Sequence, residues 1–162
     1  MKINWQGYFN RYDGYARQSI RMIRSLIRQG IEITPVPVAM IDEFLSVPGW
    51  MRHLIPAPDF NNLTISLLVG EKMLNLPGRQ WGFTMYETTK VPKTWPKLIN
   101  NSCERLFVPC KHNQEVFIKE GVKIPVDIIP LGIDPLEFPV VAPGSPNRPF
   151  TVLVLADRGE RK

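Results

Sequence analysis

Residues 2–38 read KINWQGYFNRYDGYARQSIRMIRSLIRQGIEITPVPV, and the reading of this stretch decides the fold. Lys2 to Trp5 has the apolar, short character of a strand, and the loop from Gly7 to Gly14 leads into a helix over about Tyr15–Gln29 that Gly30 ends. Ala16, Ile20, Ile23 and Ile27 follow a helical repeat and form the packing side, while Arg17, Arg21, Arg24 and Arg28 repeat the same spacing one residue later. Ile31 to Val38 then reads as a second strand, which Pro35 and Pro37 shorten or confine to a sheet edge because proline cannot donate to a ladder. A strand, a helix and a second strand in this order predict a crossover unit and a parallel sheet.

Outward from that unit the pattern continues. Residues 39–60 carry Pro48, Pro56 and Pro58 around Trp50 and Met51, which predicts irregular chain with a short helix. Further strands are expected at Leu63–Leu68, Gln80–Tyr86, Arg105–Cys110 and Val126–Ile129, with helices over Pro96–Asn101 and Asn113–Glu120, the latter stopped at Gly121. The expected class is α/β, a Rossmann-like and mainly parallel sheet flanked by helices. The run PVVAPGSPNRP from Pro139 to Pro149 holds four prolines and reads as a semi-rigid connector. The organisation expected is therefore a domain over 1–138, a connector over 139–149, and over 150–162 the first strand and turn of a second, truncated domain. An orphaned strand over Phe150–Leu155 would favour self-association.

A chain of 162 residues is long enough to bury roughly 70% of its unfolded surface without disulfides or a structural metal. Cys103 and Cys110 are too few for a secreted disulfide scaffold, and no Cys/His set has zinc spacing, so reduced, buried thiols and a cytoplasmic setting are expected. No apolar run approaches the ~18 residues of a membrane span. The net charge of +5 is carried entirely by residues 1–30, where Lys2, Arg11, Arg17, Arg21, Arg24 and Arg28 face only Asp13. One element with the whole excess argues against a nucleic-acid partner, whose footprint would spread and interleave with aromatics. It leaves open peripheral contact of the arginine stripe with anionic lipid.

Polar clusters fall where strands end, which is where ligands lie in open parallel sheets. The glycine loop ending at Gly14 brings free N–H groups at a helix start, a setting that suits phosphate, although its spacing matches neither dinucleotide nor P-loop fingerprints. Thr84 to Pro92 places Glu87 to accept sugar hydroxyls and Lys90 to meet an anionic group, with a solvated local ion pair as the alternative. Val108 to Asn113 places Lys111, His112 and Asn113 at a third strand end; His112 two residues from Cys110 is no evidence of a catalytic dyad, and Cys110 reads as a buried structural thiol. Ile128 to Asp134 ends a fourth strand at Gly132 and an acidic turn.

In order, Tyr12-Asp13-Gly14-Tyr15-Ala16, the strand ending in Thr84-Met85-Tyr86-Glu87, the segment FVPCKHNQEVFIKEGV, Ile129 to Asp134 and ADRGERK over 156–162 resemble the N-terminal domain of group 1 GT-B glycosyltransferases across nearly the whole chain. The resemblance implies a retaining, nucleotide-sugar-dependent transferase that binds its acceptor on this domain and its donor mainly on a second one, with no metal or other cofactor as a rule. It implies a glycan, lipid-linked or small-molecule acceptor. Gly14 would approach the donor diphosphate, Arg158 and Lys162 would be its cationic partners, Glu87 would contact the transferred sugar, and Tyr86, Lys90, His112 and Asn113 would lie at the acceptor or sugar side. Positive charge there suits a leaving diphosphate that gains negative charge in the transition state. This chain departs from the family in carrying Glu87 where many relatives have histidine, and Arg158 where the arginine often stands nearer Ala156. The paired-glutamate motif of the second domain does not occur, so the chain alone is expected to be inactive. A binding module without catalysis is the alternative reading; a nicotinamide dehydrogenase is disfavoured by the missing fingerprint.

Overall fold

A computed structural model of the protein describes residues 1–9, 14–38, 49–52 and 57–133. Six strands form one sheet: β1 (Lys2–Gly7), β2 (Glu32–Pro37), β3 (Leu63–Leu67), β4 (Gln80–Phe83), β5 (Arg105–Val108) and β6 (Val126–Ile128). The order is β2-β1-β3-β4-β5-β6 and every pairing is parallel. Helices α1 (Gly14–Arg28), α2 (Gly49–Arg52), α3 (Thr94–Ser102) and α4 (Lys111–Lys119) and a 3₁₀ turn (Gly70–Lys72) accompany it, so the protein has the α/β, Rossmann-like class expected. The chain divides into two compact units, Met1–Gly132 and Ile133–Lys162. The proline-rich connector over 139–149 and the strand expected at 150–162 lie outside the described residues.

The prolines of β2 act as their chemistry requires. Trp5 pairs with Pro35 and Gly7 with Pro37, and among the described strands β2 stands at the edge, with no second neighbour to which a missing N–H would matter. The two faces of the sheet then separate by strand alternation. Ile3, Trp5, Leu67 and Phe83 pack with Ile23 of α1 and Met51 of α2. Leu106, Val108 and Val126 pack with Trp95 and Ile99 of α3 and Val116 and Phe117 of α4. Full burial of such side chains contributes about 1.5–3 kcal/mol each.

Between these cores runs a buried polar row that ties three strands. Gln80 Nε2 donates to Ser66 Oγ at 3.0 Å, Ser66 Oγ donates to Gln6 Oε1 at 2.7 Å, and Asn4 Nδ2 donates to Thr64 Oγ1 at 3.2 Å. The Gln80–Ser66–Gln6 chain is continuous and fixes register more sharply than apolar contact alone, while Asn4 Oδ1 has no partner among the described residues.

Several expected boundaries shift. The packing side of α1 is Ala16, Ser19 and Ile23 with Leu26 half-buried, and Ile27 is exposed, because the helix turns its i, i+3, i+7 row rather than its i+11 position toward the sheet. β4 stops at Phe83 and β5 at Val108, shorter than expected, and α3 and α4 begin earlier. The residues after each strand leave the ladder to build the loops described below. Gly30 (φ 77°) and Gly121 (φ 105°) end α1 and α4 in the left-handed region, as their positions in the sequence imply. Cys103 is buried beside Met73, and burial pushes its thiol up to about 12; Cys110 is exposed, which corrects the expectation that both thiols are buried. It stands at the mouth of α4 rather than within β5.

Candidate functional site

The strand order places β1 between β2 and β3, so the chain moves one way from β1 to β2 and the other way to β3. That reversal opens a crevice outside the carboxyl ends of β1 and β3, the place where ligands enter open α/β sheets. A cleft of about 580 Å³ lies there, inside the range of roughly 300–1,000 Å³ typical of small-molecule sites. The first turn of α1 supplies Gly14, Tyr15 and Gln18, and the segment after β3 supplies Val69 and Glu71. Met85, Tyr86 and Glu87 follow β4, and Trp95 of α3 and Leu131 beyond β6 complete the lining.

Each wall has an evident local cause. Gly70 stands where an added Cβ would lie 2.5 Å from Cδ2 and Cε3 of Trp95, so only glycine lets the 3₁₀ turn sit flat against the indole. Trp95 in turn meets the ring of Tyr86 edge-on at 4.8 Å and stacks on Phe117 at 6.4 Å. Its Nε1 is buried with no hydrogen-bond partner among the described residues. Aromatic pairs in these arrangements add about 0.5–1.5 kcal/mol beyond their buried area.

The segment after β4 is held from two sides. Tyr15 Oη donates to the Met85 carbonyl at 3.1 Å, and the Met85 N–H donates back to Tyr15 Oη at 3.4 Å, which pins the start of α1 to the loop. On the other side Asn113 Nδ2 donates to the Tyr86 carbonyl at 2.6 Å and Asn113 Oδ1 accepts the Tyr86 N–H at 3.2 Å. The carboxamide thus substitutes for a neighbouring strand where the ladder has ended. Beyond it Thr88 Oγ1 donates to the Lys90 carbonyl at 2.8 Å, which closes a turn on which Glu87 and Lys90 are exposed.

Of the residues singled out from the sequence, Gly14, Tyr86 and Glu87 come together at the cleft. Asn113 is buried behind it with both ends of its amide committed to Tyr86, and it supports the wall rather than facing the cavity. Lys90 and His112 are exposed and are not among the residues that line the cleft. Asp134, Arg158 and Lys162 lie outside the described residues. Along the arginine stripe, Arg17 is exposed and the guanidinium of Arg24 lies 5.0 Å over the Trp50 ring. The lining residues Gln18, Val69, Glu71 and Trp95 were not singled out in the sequence, and Tyr15 stood in a quoted motif without a site role. For Val69 and Glu71 a signal was present: they follow the β3 strand end, and the rule applied to the other strand ends covers this one too.

Charge in the cleft is one-sided. Among the described lining residues Glu71 and Glu87 are the ionisable acids, and no lysine, arginine or histidine joins them. Gly14, also in the lining, begins α1, and among the described residues no acid stands in the first turn of that helix. Among the described residues nothing lies within 4 Å of a Cβ built at Gly14, so no described packing contact calls for glycine at this position. Among the described residues no group of three or more His, Cys, Asp or Glu could hold a metal ion, and no described helix is long and apolar enough to cross a membrane.

Comparison with known proteins returns no match: no family model, no curated protein and no solved structure aligns with the chain.

Proposed function

We propose that the chain is the acceptor-side domain of a nucleotide-sugar glycosyltransferase of GT-B architecture, with a second domain supplying most of the donor pocket. The observation that carries the reading is the cleft at the reversal of strand order, which gathers Gly14 and the adjacent Tyr86 and Glu87 from two distant parts of the sequence. In the proposed reaction the bond between the donor's anomeric carbon and the diphosphate oxygen breaks, and its electron pair leaves with the nucleoside diphosphate. An acceptor hydroxyl oxygen bonds the same carbon and gives up its proton. The backbone at Gly14, at the positive end of α1, lies against the diphosphate, and glycine at a place where no described packing contact demands it suits such a close approach. Arg158 and Lys162 are the proposed cationic partners of the diphosphate, and Glu87 the proposed contact to the transferred sugar. The nucleotide sugar is a substrate, and the proposal needs no further cofactor. A cytoplasmic setting goes with it.

The test is to incubate the gene product that carries this chain with a panel of UDP- and GDP-sugars and to follow nucleoside diphosphate release. Binding and turnover of at least one donor are expected. If no donor binds and none is turned over, the reading fails.

A further inference from the structure

The two faces of the sheet are covered unequally. Strand alternation puts Leu106, Val108 and Val126 on the face of α3 and α4, where all three are buried. Their neighbours along the same strands, Arg105, Phe107 and Asp127, stand on the other face, level with Trp81 and Phe83 of β4. There Phe83 is buried, Trp81 and Phe107 are half-buried, and the side chains of Arg105 and Asp127 are 40% and 46% exposed. The placement of the helices accounts for the difference. On this face α1 packs against β1 and β2, whereas α4, the helix that packs against β5 and β6, lies on the opposite one. Parallel sheets are as a rule covered on both faces, so a half-face that leaves aromatic rings in reach of solvent marks a contact surface.

The chemistry of this patch is that of a protein interface. Trp81 meets Phe107 edge-on with centroids 5.7 Å apart, and Phe107 meets Phe83 likewise at 6.5 Å, so the rings hold one another in place. Aromatic residues and arginine are the types enriched where proteins meet. At the rim the Arg79 guanidinium lies 6.0 Å over the Trp81 ring and Arg79 Nε donates to Glu104 at 3.1 Å, while Arg105 pairs with Asp127. Two cations thus stand with two carboxylates, and none of the net charge of +5, which residues 1–30 carry, belongs to the patch. A two-fold contact sets a surface against its own copy, so each cation must find an anion within that same surface. This patch meets that condition, and a strongly basic or acidic partner finds no net charge here to answer its own.

We propose that the half-face over β4, β5 and β6 binds a second copy of this chain about a two-fold axis, with the Trp81 and Phe107 rings of the two copies in contact and their Arg79–Glu104 pairs meeting across the axis. The charges then alternate in sign between the copies, and withdrawal of the rings from water supplies the apolar gain. The inference does not depend on the transferase reading, and it uses a surface other than the apolar run over Phe150–Leu155.

Sedimentation of the full chain between about 1 and 200 µM tests the proposal. A monomer–dimer equilibrium with a dissociation constant on the order of 10 µM is expected, the affinity of a small interface. Trp81→Ala weakens it by about tenfold or more, the scale of a central aromatic, whereas Val152→Lys leaves it within about twofold. Arg79 and Glu104 are exposed, so reversing their charge leaves the fold intact and the circular dichroism spectrum unchanged. Arg79→Glu and Glu104→Arg each weaken the dimer by about threefold or more when alone, and an equimolar mixture of the two variants regains the parent affinity within about twofold, because opposite charges again face each other across the axis. A chain that is monomeric at 200 µM, a dimer that Trp81→Ala leaves undiminished, or a mixture of the two reversed variants that associates no better than either alone overturns the assignment. The mixing result stands even if Trp81→Ala fails to fold.

Discussion

The segments after β4 and after β5 look alike in the sequence and do opposite things in the fold. Both follow a strand of four residues, and both turn polar at once, TMYETTK after the first and PCKHN after the second. After β4 the chain stays extended and presents Met85, Tyr86 and Glu87 to the cleft. After β5 it turns directly into α4 and sends Asn113 inward, where its amide is consumed by the Tyr86 backbone. A polar strand end therefore belongs to a site or to its scaffold according to which backbone groups its side chains must satisfy. Where the ladder of β4 runs out, the Tyr86 N–H and carbonyl need partners, and the next strand end is the one that supplies them.

The sharpest way to break this comparison is to remove the support. In Asn113→Ala two backbone groups of Tyr86 lose their partners in a half-buried place, and an unmet group of this kind costs about 1–3 kcal/mol. A loss of about 3 kcal/mol in urea-unfolding stability is expected, together with weaker ligand binding in the cleft. If the variant is as stable as the parent, Asn113 is not the scaffold described here.

Glu87→Ala probes the other segment, and its effect should divide differently. Glu87 is exposed and accepts no hydrogen bond among the described residues, so unfolding stability should move by less than about 0.5 kcal/mol. Turnover by the gene product should fall by at least about tenfold, or about 1.4 kcal/mol. An unchanged rate would remove Glu87 from the site. A third substitution, Tyr15→Phe, falls between the two: it deletes the hydroxyl that joins α1 to the Met85 backbone, at a cost of about 1 kcal/mol in stability. The same urea titration reads it, and a loss as large as that of Asn113→Ala would mean that the loop hangs from α1 rather than from α4.

These contrasts also mark what the sequence could convey. The crossover unit of residues 2–38, the edge position of β2 and the glycine stops of the helices follow from local rules, because proline, glycine and a helical repeat act within a few residues. Gly14, Tyr86 and Glu87 were legible as strand-end residues for the same reason. The burial of Asn113 was not, since it depends on a hydrogen-bonding need 27 residues away at Tyr86. Nor was Trp95, which stands just before the brief helix expected at Pro96–Asn101 and packs against Gly70 of another element, where a Cβ would meet its ring. Ile27 shows the limit within a single helix: the repeat identified an apolar side, but a few tens of degrees of rotation decided which of its members the sheet would cover.

The smallest effects should come from the outer surface of the second segment, and they sharpen the comparison by their smallness. His112 and Cys110 flank Lys111 at the start of α4 and are all exposed, outside the cleft lining. His112→Ala should shift stability by less than about 0.5 kcal/mol and leave turnover within a factor of about two, because an exposed side chain without a structural partner contributes little. A tenfold drop would mean that the β5 end reaches substrate after all. Thiol labelling adds a reading that requires no mutation. Cys110 should react with an exposed-thiol reagent in the native protein, while Cys103, buried with its thiol pushed up to about 12, should react only on unfolding. The raised value also fixes a sign: the unfolded thiol ionises near its ordinary 9.0 and the folded one does not, so stability present below that pH is lost as pH rises from there toward about 12. Native labelling of both thiols, or a stability that holds constant across that alkaline range in a variant lacking other changes, would show that the layer behind β5 is open, and the division between a presenting segment and a supporting one would no longer stand.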